Sequence, residues 1–110
     1  MSESQETALE AIGEPLLLFF SSVSSGPARR MDSLVAQIAR KERKSLRVLR
    51  VDVNERPDLA GRFRVGAAPA LVLVKNGRVM ERIEGRASAL KIERMLEPHL
   101  ARSATLKATT

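Results

Sequence analysis

An α/β fold, with a central mixed β-sheet flanked by helices, is what this 110-residue sequence predicts. The apolar runs Pro15–Phe20 and Ser45–Asn54 are separated by an amphipathic helical pattern, which is typical of two parallel strands joined by a right-handed crossover. The segment Pro69–Gly85 contains two strand-like runs around an Asn-Gly turn, and this is a strong short-range signal for a β-hairpin. A chain of this length forms one domain around one hydrophobic core.

The first elements follow from the positions of apolar residues. A short helix is expected over residues 5–12. The run Pro15–Phe20 predicts a buried strand, because it is continuously apolar and is bounded by turn residues. After Gly26-Pro27 we expect a long helix that ends in the charged run Arg40–Lys44. Four apolar residues recur on one face of that helix and are expected to pack on the core: Met31, Leu34, Val35 and Ile38.

The second half of the chain supplies the remaining strands and the closing helix. Apolar residues alternate within Ser45–Asn54 as in a central strand. Arg56–Phe63 predicts a short helix, with Pro57 suited to its first turn. The hairpin over Pro69–Gly85 is followed by a second long amphipathic helix over Ala87–Leu100. The inward positions expected for that helix are Ala89, Leu90, Ile92, Met95, Leu96 and Leu100.

The composition excludes several classes of chemistry. The chain contains no cysteine, which excludes disulfides, thiolate nucleophiles, zinc–thiolate sites and dithiol redox reactions. One histidine and scattered carboxylates give no ligand cluster, so we expect neither a metal ion nor a cofactor. A net charge of +6 leaves open an anionic partner at a basic surface. The densest basic residues are Arg40, Lys41, Arg43, Lys44 and Arg47, and a solvated helix end is the favoured explanation for them.

No membrane partner is expected, because the longest apolar run, Leu16–Phe20, is far shorter than the roughly 20 residues of a membrane span. The first residues are acidic and polar and lack the pattern of a signal peptide, so we expect a cytoplasmic protein. The expected organisation is an N-terminal helical segment over residues 1–13, a folded domain over residues 14–101 and a flexible tail over residues 102–110.

Several short motifs occur in a characteristic order along the chain. The segment SSGPAR (Ser24–Arg29) lies between the first strand and the long helix, and Ala68-Pro69 lies just before the hairpin. VDVNERPDLAGRFRV begins at Val51, KNG forms the hairpin turn, and Gly85 follows the last strand. Together these motifs resemble the thioredoxin family over roughly residues 9–100. The resemblance implies a thioredoxin-like fold with a four-stranded sheet, and it leaves open a fifth strand at the N-terminal edge.

The resemblance also locates the family's redox turn, Trp-Cys-Gly-Pro-Cys, at Ser24–Ala28. Ser25 and Ala28 stand at the two cysteine positions, and Phe19 stands at the family's buried acid. The family lysine that pairs with that acid corresponds to Arg50, which is left without that partner. Disulfide exchange requires a thiolate, so the sequence assigns no catalytic residue and predicts no enzymatic activity. We interpret Ser25 as a helix N-cap. We do not interpret it as a nucleophile, because the lone histidine, His99, is expected far from this turn.

In the thioredoxin family, the residue before a cis-proline offers its backbone to an extended peptide. The resemblance therefore implies a groove between two short segments, and the residues that match it are Ser24, Ser25, Gly26, Pro27, Ala67, Ala68 and Pro69. We hypothesise a redox-inactive thioredoxin-like protein that binds a protein or extended peptide in a chaperone-like or assembly role. One alternative is a disulfide oxidoreductase of cell redox homeostasis whose cysteines were replaced by engineering. A second alternative is a nucleic-acid-associated protein that uses its basic surface.

Overall fold

The computed structural model describes residues 14–100 of the chain. These residues form a four-stranded mixed sheet with helices around it. The strands lie in the order β2-β1-β3-β4. The elements are β1 (Leu16–Ser21), α1 (Gly26–Lys41), β2 (Arg47–Asp52), α2 (Pro57–Arg62), β3 (Ala70–Lys75), β4 (Arg78–Glu84), α3 (Ala89–Leu96) and a 3₁₀ turn (Glu97–His99). The helix expected over residues 5–12 and the tail expected over residues 102–110 lie outside the described residues.

The strand pairing agrees with the predicted topology. Strands β1 and β2 are parallel, with Leu16 opposite Arg47 and Ser21 opposite Asp52, and α1 forms the connection between them. Strand β3 runs antiparallel to β1 on its other side and pairs with β4 in the predicted hairpin. The hairpin register shifts between Leu73 and Val74, where β4 bulges. The mixed four-stranded sheet of a thioredoxin-like fold is therefore confirmed.

Strand β1 is buried along its whole length because both faces of the sheet are covered. Its alternate side chains enter two separate apolar clusters. Leu17 and Phe19 belong to the cluster that contains residues of α1 and α3. Leu16, Leu18 and Phe20 belong to the opposite cluster, which contains residues of α2. This double burial explains why the strand's sequence is a continuous apolar run rather than an alternating one.

Helix α1 presents the predicted face to the core. Met31, Val35 and Ile38 are buried, and Leu34 packs partly buried against the same cluster. The residues at each end of the helix stabilise its unpaired backbone groups or its dipole. Ser25 caps the N-terminus, and Arg40 and Lys41 lie in the last turn, where basic side chains favour the negative end of the helix dipole.

The closing helix is shorter than predicted. Helix α3 begins after the N-cap Ser88 and ends at Leu96, and the following residues form the 3₁₀ turn that contains Pro98. Leu90 is 55% exposed, so its predicted inward position is wrong. The reason is geometric, since the buried stripe passes through Ile92 and Leu96, and a residue two positions from Ile92 lies about 200° around the helix.

Replacing Phe19 by alanine is expected to destabilise the fold by about 3–5 kcal/mol, because it removes a fully buried aromatic side chain and leaves a cavity. Urea unfolding followed by circular dichroism measures this loss. The matched control is Val23→Ala, at a position that is 65% exposed, which should change the free energy of unfolding by less than about 0.5 kcal/mol. Equal unfolding midpoints for Phe19→Ala and the unmodified protein would contradict the described core.

Candidate functional site

The turn that resembles a redox site is the capped N-terminus of α1. Ser25 has extended backbone angles, and its Oγ accepts a hydrogen bond from the amide of Ala28 at 3.2 Å. Gly26 and Pro27 occupy the first two helical positions, where proline's missing N–H costs nothing. The Ala28 side chain is fully buried. The predicted capping role of Ser25 is confirmed, and its hydroxyl lies in a structural hydrogen bond.

A second hydroxyl network holds this turn to the end of β2. The Oγ atoms of Ser22 and Ser24 are 2.9 Å apart, and the Asn54 side-chain amide donates to Ser22 Oγ at 3.0 Å. Ser22 is 5% exposed, so the network is partly buried. The sequence analysis missed this contact between Ser22 and Asn54. The available signal was that each residue follows one of two parallel strands, whose carboxyl ends meet at one edge of a sheet.

Among residues 14–100, the Ser25 hydroxyl contacts no base that could activate it as a nucleophile. The lone histidine, His99, lies in the 3₁₀ turn, where its Nε2 is 3.1 Å from Oε2 of Glu81 on β4. A serine nucleophile needs a base within hydrogen-bonding reach. The Ser25 hydroxyl instead accepts the Ala28 amide proton, so the turn is a helix cap rather than a catalytic dyad.

The position of the family's buried acid has become apolar, and the neighbouring cation has a new partner. Phe19 is 1% exposed within the cluster under α1. Arg50 places its Nε 3.0 Å from Oδ1 of Asp32 on α1, and its Nη2 lies 3.4 Å from Ser21 Oγ. Arg50 thus pairs with Asp32, and not with the acid that the resemblance implies at position 19. Both side chains are more than a third exposed, so this ion pair contributes at most about 1 kcal/mol.

The loop before β3 carries unpaired backbone groups beside a buried proline. The Ala68–Pro69 peptide bond is cis, and the Pro69 carbonyl accepts a hydrogen bond from Gly85 N at 2.9 Å. Gly66 and Ala67 are exposed and Ala68 is half-buried. Among residues 14–100, the backbone N–H and C=O groups of these three residues have no hydrogen-bond partner.

Two recesses lie beside this loop and the start of α1. The first, called here the proline recess, has a volume of about 490 Å³ and is lined by Arg64, Val65, Gly66, Ala67, Ala68, Pro69, Ala70, Glu84 and Gly85. The second, called here the helix recess, has a volume of about 410 Å³ and is lined by Pro27, Arg30, Met31, Leu34, Arg86, Ala87 and Ser88. The predicted site residues are thus divided, since Ala67, Ala68 and Pro69 line the first recess and Pro27 the second. Ser24, Ser25 and Gly26 line neither of the two.

Arg82 holds the chain that leads into the proline recess. Its Nη2 donates to the carbonyl oxygens of Phe63 at 3.0 Å and Arg64 at 3.1 Å, and it lies 3.3 Å from Oε1 of Glu84. Arg64 has a φ of 55°, so the chain turns sharply at this point. The sequence analysis did not find Arg82, because nothing in the local pattern of β4 shows contacts with residues 18 and 19 positions earlier.

The basic residues of Arg40–Arg47 surround the C-terminal end of α1. Lys41 lies 3.5 Å from Glu93 of α3, which neutralises part of the charge. Within residues 14–100, no helix is long and apolar enough to cross a membrane. In the same part of the chain, no group of three or more histidine, aspartate or glutamate side chains is placed to hold a metal ion.

Comparison with known proteins agrees with this architecture. The thioredoxin family model matches residues 2–98. The chain belongs to the thioredoxin family. Together with the absence of any cysteine, membership identifies it as a thioredoxin-family protein without the residues of the dithiol reaction.

Three of its relatives come from Synechocystis sp., Arabidopsis thaliana and Oryza sativa. The chain is 27% identical over 84 residues to a thioredoxin-like protein of Synechocystis sp., covering 76% of this chain and 80% of that one. It is 34% identical over 84 residues to thioredoxin H7 of Arabidopsis thaliana, covering 76% of this chain and 64% of the relative. It is 26% identical over 97 residues to the chloroplastic thioredoxin Y of Oryza sativa, covering 88% of this chain and 58% of that relative. The chain thus spans less than two thirds of the last two relatives.

Two solved structures show the same fold. Thioredoxin NaTrxh from Nicotiana alata superposes with a TM-score of 0.79 at 24% identity, covering 90% of this chain and 88% of that one. Mitochondrial thioredoxin 3 from Saccharomyces cerevisiae, in its oxidized form, gives a TM-score of 0.72 at 25% identity and covers 83% of both chains.

Replacing Ser25 by alanine is expected to lower the free energy of unfolding by about 1 kcal/mol, because the Ala28 amide loses its hydrogen-bond acceptor. Thermal and urea unfolding measure the change. Ser33→Ala, at an exposed position inside α1, is the matched control and should change stability by less than about 0.5 kcal/mol. If the two variants were equally stable, the capping role would be refuted.

Proposed function

We propose that this thioredoxin-family protein is redox-inactive and binds an extended polypeptide at the proline recess, in a chaperone-like or assembly role in the cytoplasm. The observation that carries the proposal is the loop at Gly66–Ala68, which is exposed at Gly66 and Ala67 and half-buried at Ala68, and whose backbone groups have no partner within residues 14–100. That loop lies beside an open recess large enough for side chains of a bound segment.

The chemical half of the proposal rests on the residues at the redox turn. Thiol–disulfide exchange proceeds by attack of a thiolate on a disulfide sulfur. The chain has no sulfur nucleophile, since cysteine is absent and Ser25 and Ala28 occupy the positions of the two reacting thiols. The Ser25 hydroxyl is bound by the Ala28 amide, and the Ala28 methyl group is buried. The turn therefore contributes stability to α1 and offers no reacting group.

The binding half of the proposal rests on main-chain recognition. An extended peptide that adds to an exposed backbone edge gains affinity from N–H···O=C bonds and specificity from recesses for alternate side chains. The alanines at positions 67 and 68 have small side chains, which leave their peptide groups accessible. Gly85, whose φ is 84°, lies on the same recess and donates to the Pro69 carbonyl.

The hydrogen bonds of Arg82 to the Phe63 and Arg64 carbonyls favour binding, because they order the chain that leads into the proline recess before a ligand arrives. Two hydrogen bonds from one guanidinium nitrogen hold the Phe63 and Arg64 carbonyls. Ordering a loop on binding costs affinity, so a loop that is already held loses less conformational entropy. The proline recess is thus lined on one side by Arg64, whose carbonyl is held by Arg82, and on another by the Gly66–Ala68 loop, whose backbone groups are unpaired within residues 14–100.

The protein is expected to give no acceleration of insulin reduction by dithiothreitol, because it contains no thiolate. Turbidity from the released insulin chains measures the rate. The matched comparison is the double variant Ser25→Cys/Ala28→Cys, which restores both reacting atoms and should exceed the rate without protein. A rate for the unmodified protein above the rate without protein would contradict the redox-inactive assignment.

Peptides selected on the protein from a randomised display library are expected to bind through the Gly66–Ala68 loop. Titration of ¹⁵N-labelled protein should shift the amide resonances of Gly66, Ala67, Ala68 and Gly85. Ala68→Pro removes one amide donor, and it should weaken binding by about two- to tenfold, as expected for the loss of one hydrogen bond in a complex. Calorimetric titration measures the dissociation constants.

Two further variants complete this test. Pro69→Thr changes the residue that closes the loop, whereas Pro98→Thr makes the same replacement in the exposed 3₁₀ turn and should leave affinity unchanged. If both Ala68→Pro and Pro69→Thr bind the peptide with unaltered affinity, the peptide does not bind at this recess and the proposal is overturned.

A further inference from the structure

The helix recess continues from the proposed peptide site. Glu84 and Gly85 line the proline recess, and Arg86 and Ala87, the next residues along the chain, line the helix recess. The two linings are therefore joined through the Gly85–Arg86 peptide bond. The apolar part of the helix recess contains buried Met31 and half-buried Leu34.

Two arginines approach the helix recess from different elements. Arg30 comes from the first turns of α1, and Arg86 comes from the loop between β4 and α3. A Cβ atom at Gly26 would lie 3.5 Å from Nη1 of Arg30, so this guanidinium lies over the start of the helix. Both side chains are exposed, and within residues 14–100 neither has a hydrogen bond, an ion pair or a ring contact.

We propose that Arg30 and Arg86 recognise the side-chain carboxylate of an aspartate or glutamate in the bound polypeptide. The inference rests on the proposed function and names the class of segment that the protein takes, namely an acidic residue next to an apolar one. A guanidinium group binds a carboxylate through paired N–H···O bonds, which fix its orientation as well as its charge. The apolar neighbour packs on Met31 and Leu34, and methionine adapts to side chains of different shape.

The same features disfavour a free inorganic anion in this recess. A phosphate at a helix N-terminus is bound mainly by backbone amides of the first turn. Here the Ala28 amide already donates to Ser25 Oγ. The apolar surface of Met31 and Leu34 gives an inorganic anion nothing to pack on, whereas it suits the side chain beside a carboxylate in a peptide.

The inference is tested by selecting peptides from a randomised display library on immobilised protein. Sequences selected by the unmodified protein are expected to be enriched in Asp or Glu at one position next to an apolar residue. The double variant Arg30→Gln/Arg86→Gln should lose this enrichment. The double variant Arg29→Gln/Arg78→Gln is the matched control, because it removes the same net charge from exposed positions that do not line the recess.

Affinity measurements then use one selected peptide, amidated at its C-terminus, and its Glu→Gln analogue. The unmodified protein should bind the Glu peptide about three- to tenfold more tightly at low ionic strength, as expected for exposed charge-assisted hydrogen bonds. The preference should shrink as salt is added. Arg30→Glu/Arg86→Glu should reverse the preference in favour of a Glu→Lys analogue, and thermal melts check that these exposed substitutions leave the fold intact.

Each negative result has a separate meaning. Equal affinity for the Glu and Gln peptides, or the same loss of preference in the Arg29→Gln/Arg78→Gln control, overturns the carboxylate inference while peptide binding stands. Binding that requires a free C-terminal carboxylate also overturns it, because the recognised group is then not a side chain. If the unmodified protein selects no peptide in preference to its Pro69→Thr variant, the proposed function itself fails.

Discussion

The burial of β1 on both faces is the constraint on which the other elements depend. Alternate side chains of this strand enter the cluster under α1 and α3 and the cluster under α2, so helices are required on both sides of the sheet. Its two edges are also occupied, by parallel β2 and antiparallel β3. The carboxyl end of β1 then delivers Ser22 and the start of α1 to the edge where β2 ends at Asp52. The recesses are positioned by this arrangement.

Periodicity made most of the fold predictable from the sequence, because it is a local property. The apolar face of α1, the Asn-Gly hairpin and the parallel crossover each follow from residues close together in the chain. Leu90 was misplaced because it is apolar like the buried stripe, although it lies about 200° around the helix from Ile92. In the site, the sequence predicted the Ser25 cap but not the contacts of Ser22 with Asn54 or of Arg82 with two carbonyl groups. Those contacts join residues far apart in sequence, and polar pairs leave no periodic signal.

In this thioredoxin-family chain, the turn that resembles the family's redox site is a structural helix start. Phe19 fills with hydrocarbon the place where the resemblance implies a buried acid, and it joins the main apolar cluster. Arg50 remains close to the end of β1 but pairs with Asp32, which lies on the solvent side of α1. The hydroxyl of Ser25 and the methyl group of Ala28 stabilise the helix start.

The contacts of Arg82 are made to carbonyl oxygens alone at residues 63 and 64, and carbonyl oxygens are common to every amino acid. The path of the chain into the recess is therefore fixed independently of which side chains it carries. Arg64, with a φ of 55°, and Val65, which packs partly buried on the cluster under α2, line the recess within this fixed course. The course of the backbone at residues 63 and 64 is thus held by a side chain from a distant strand, through groups that a substitution at either residue would leave in place.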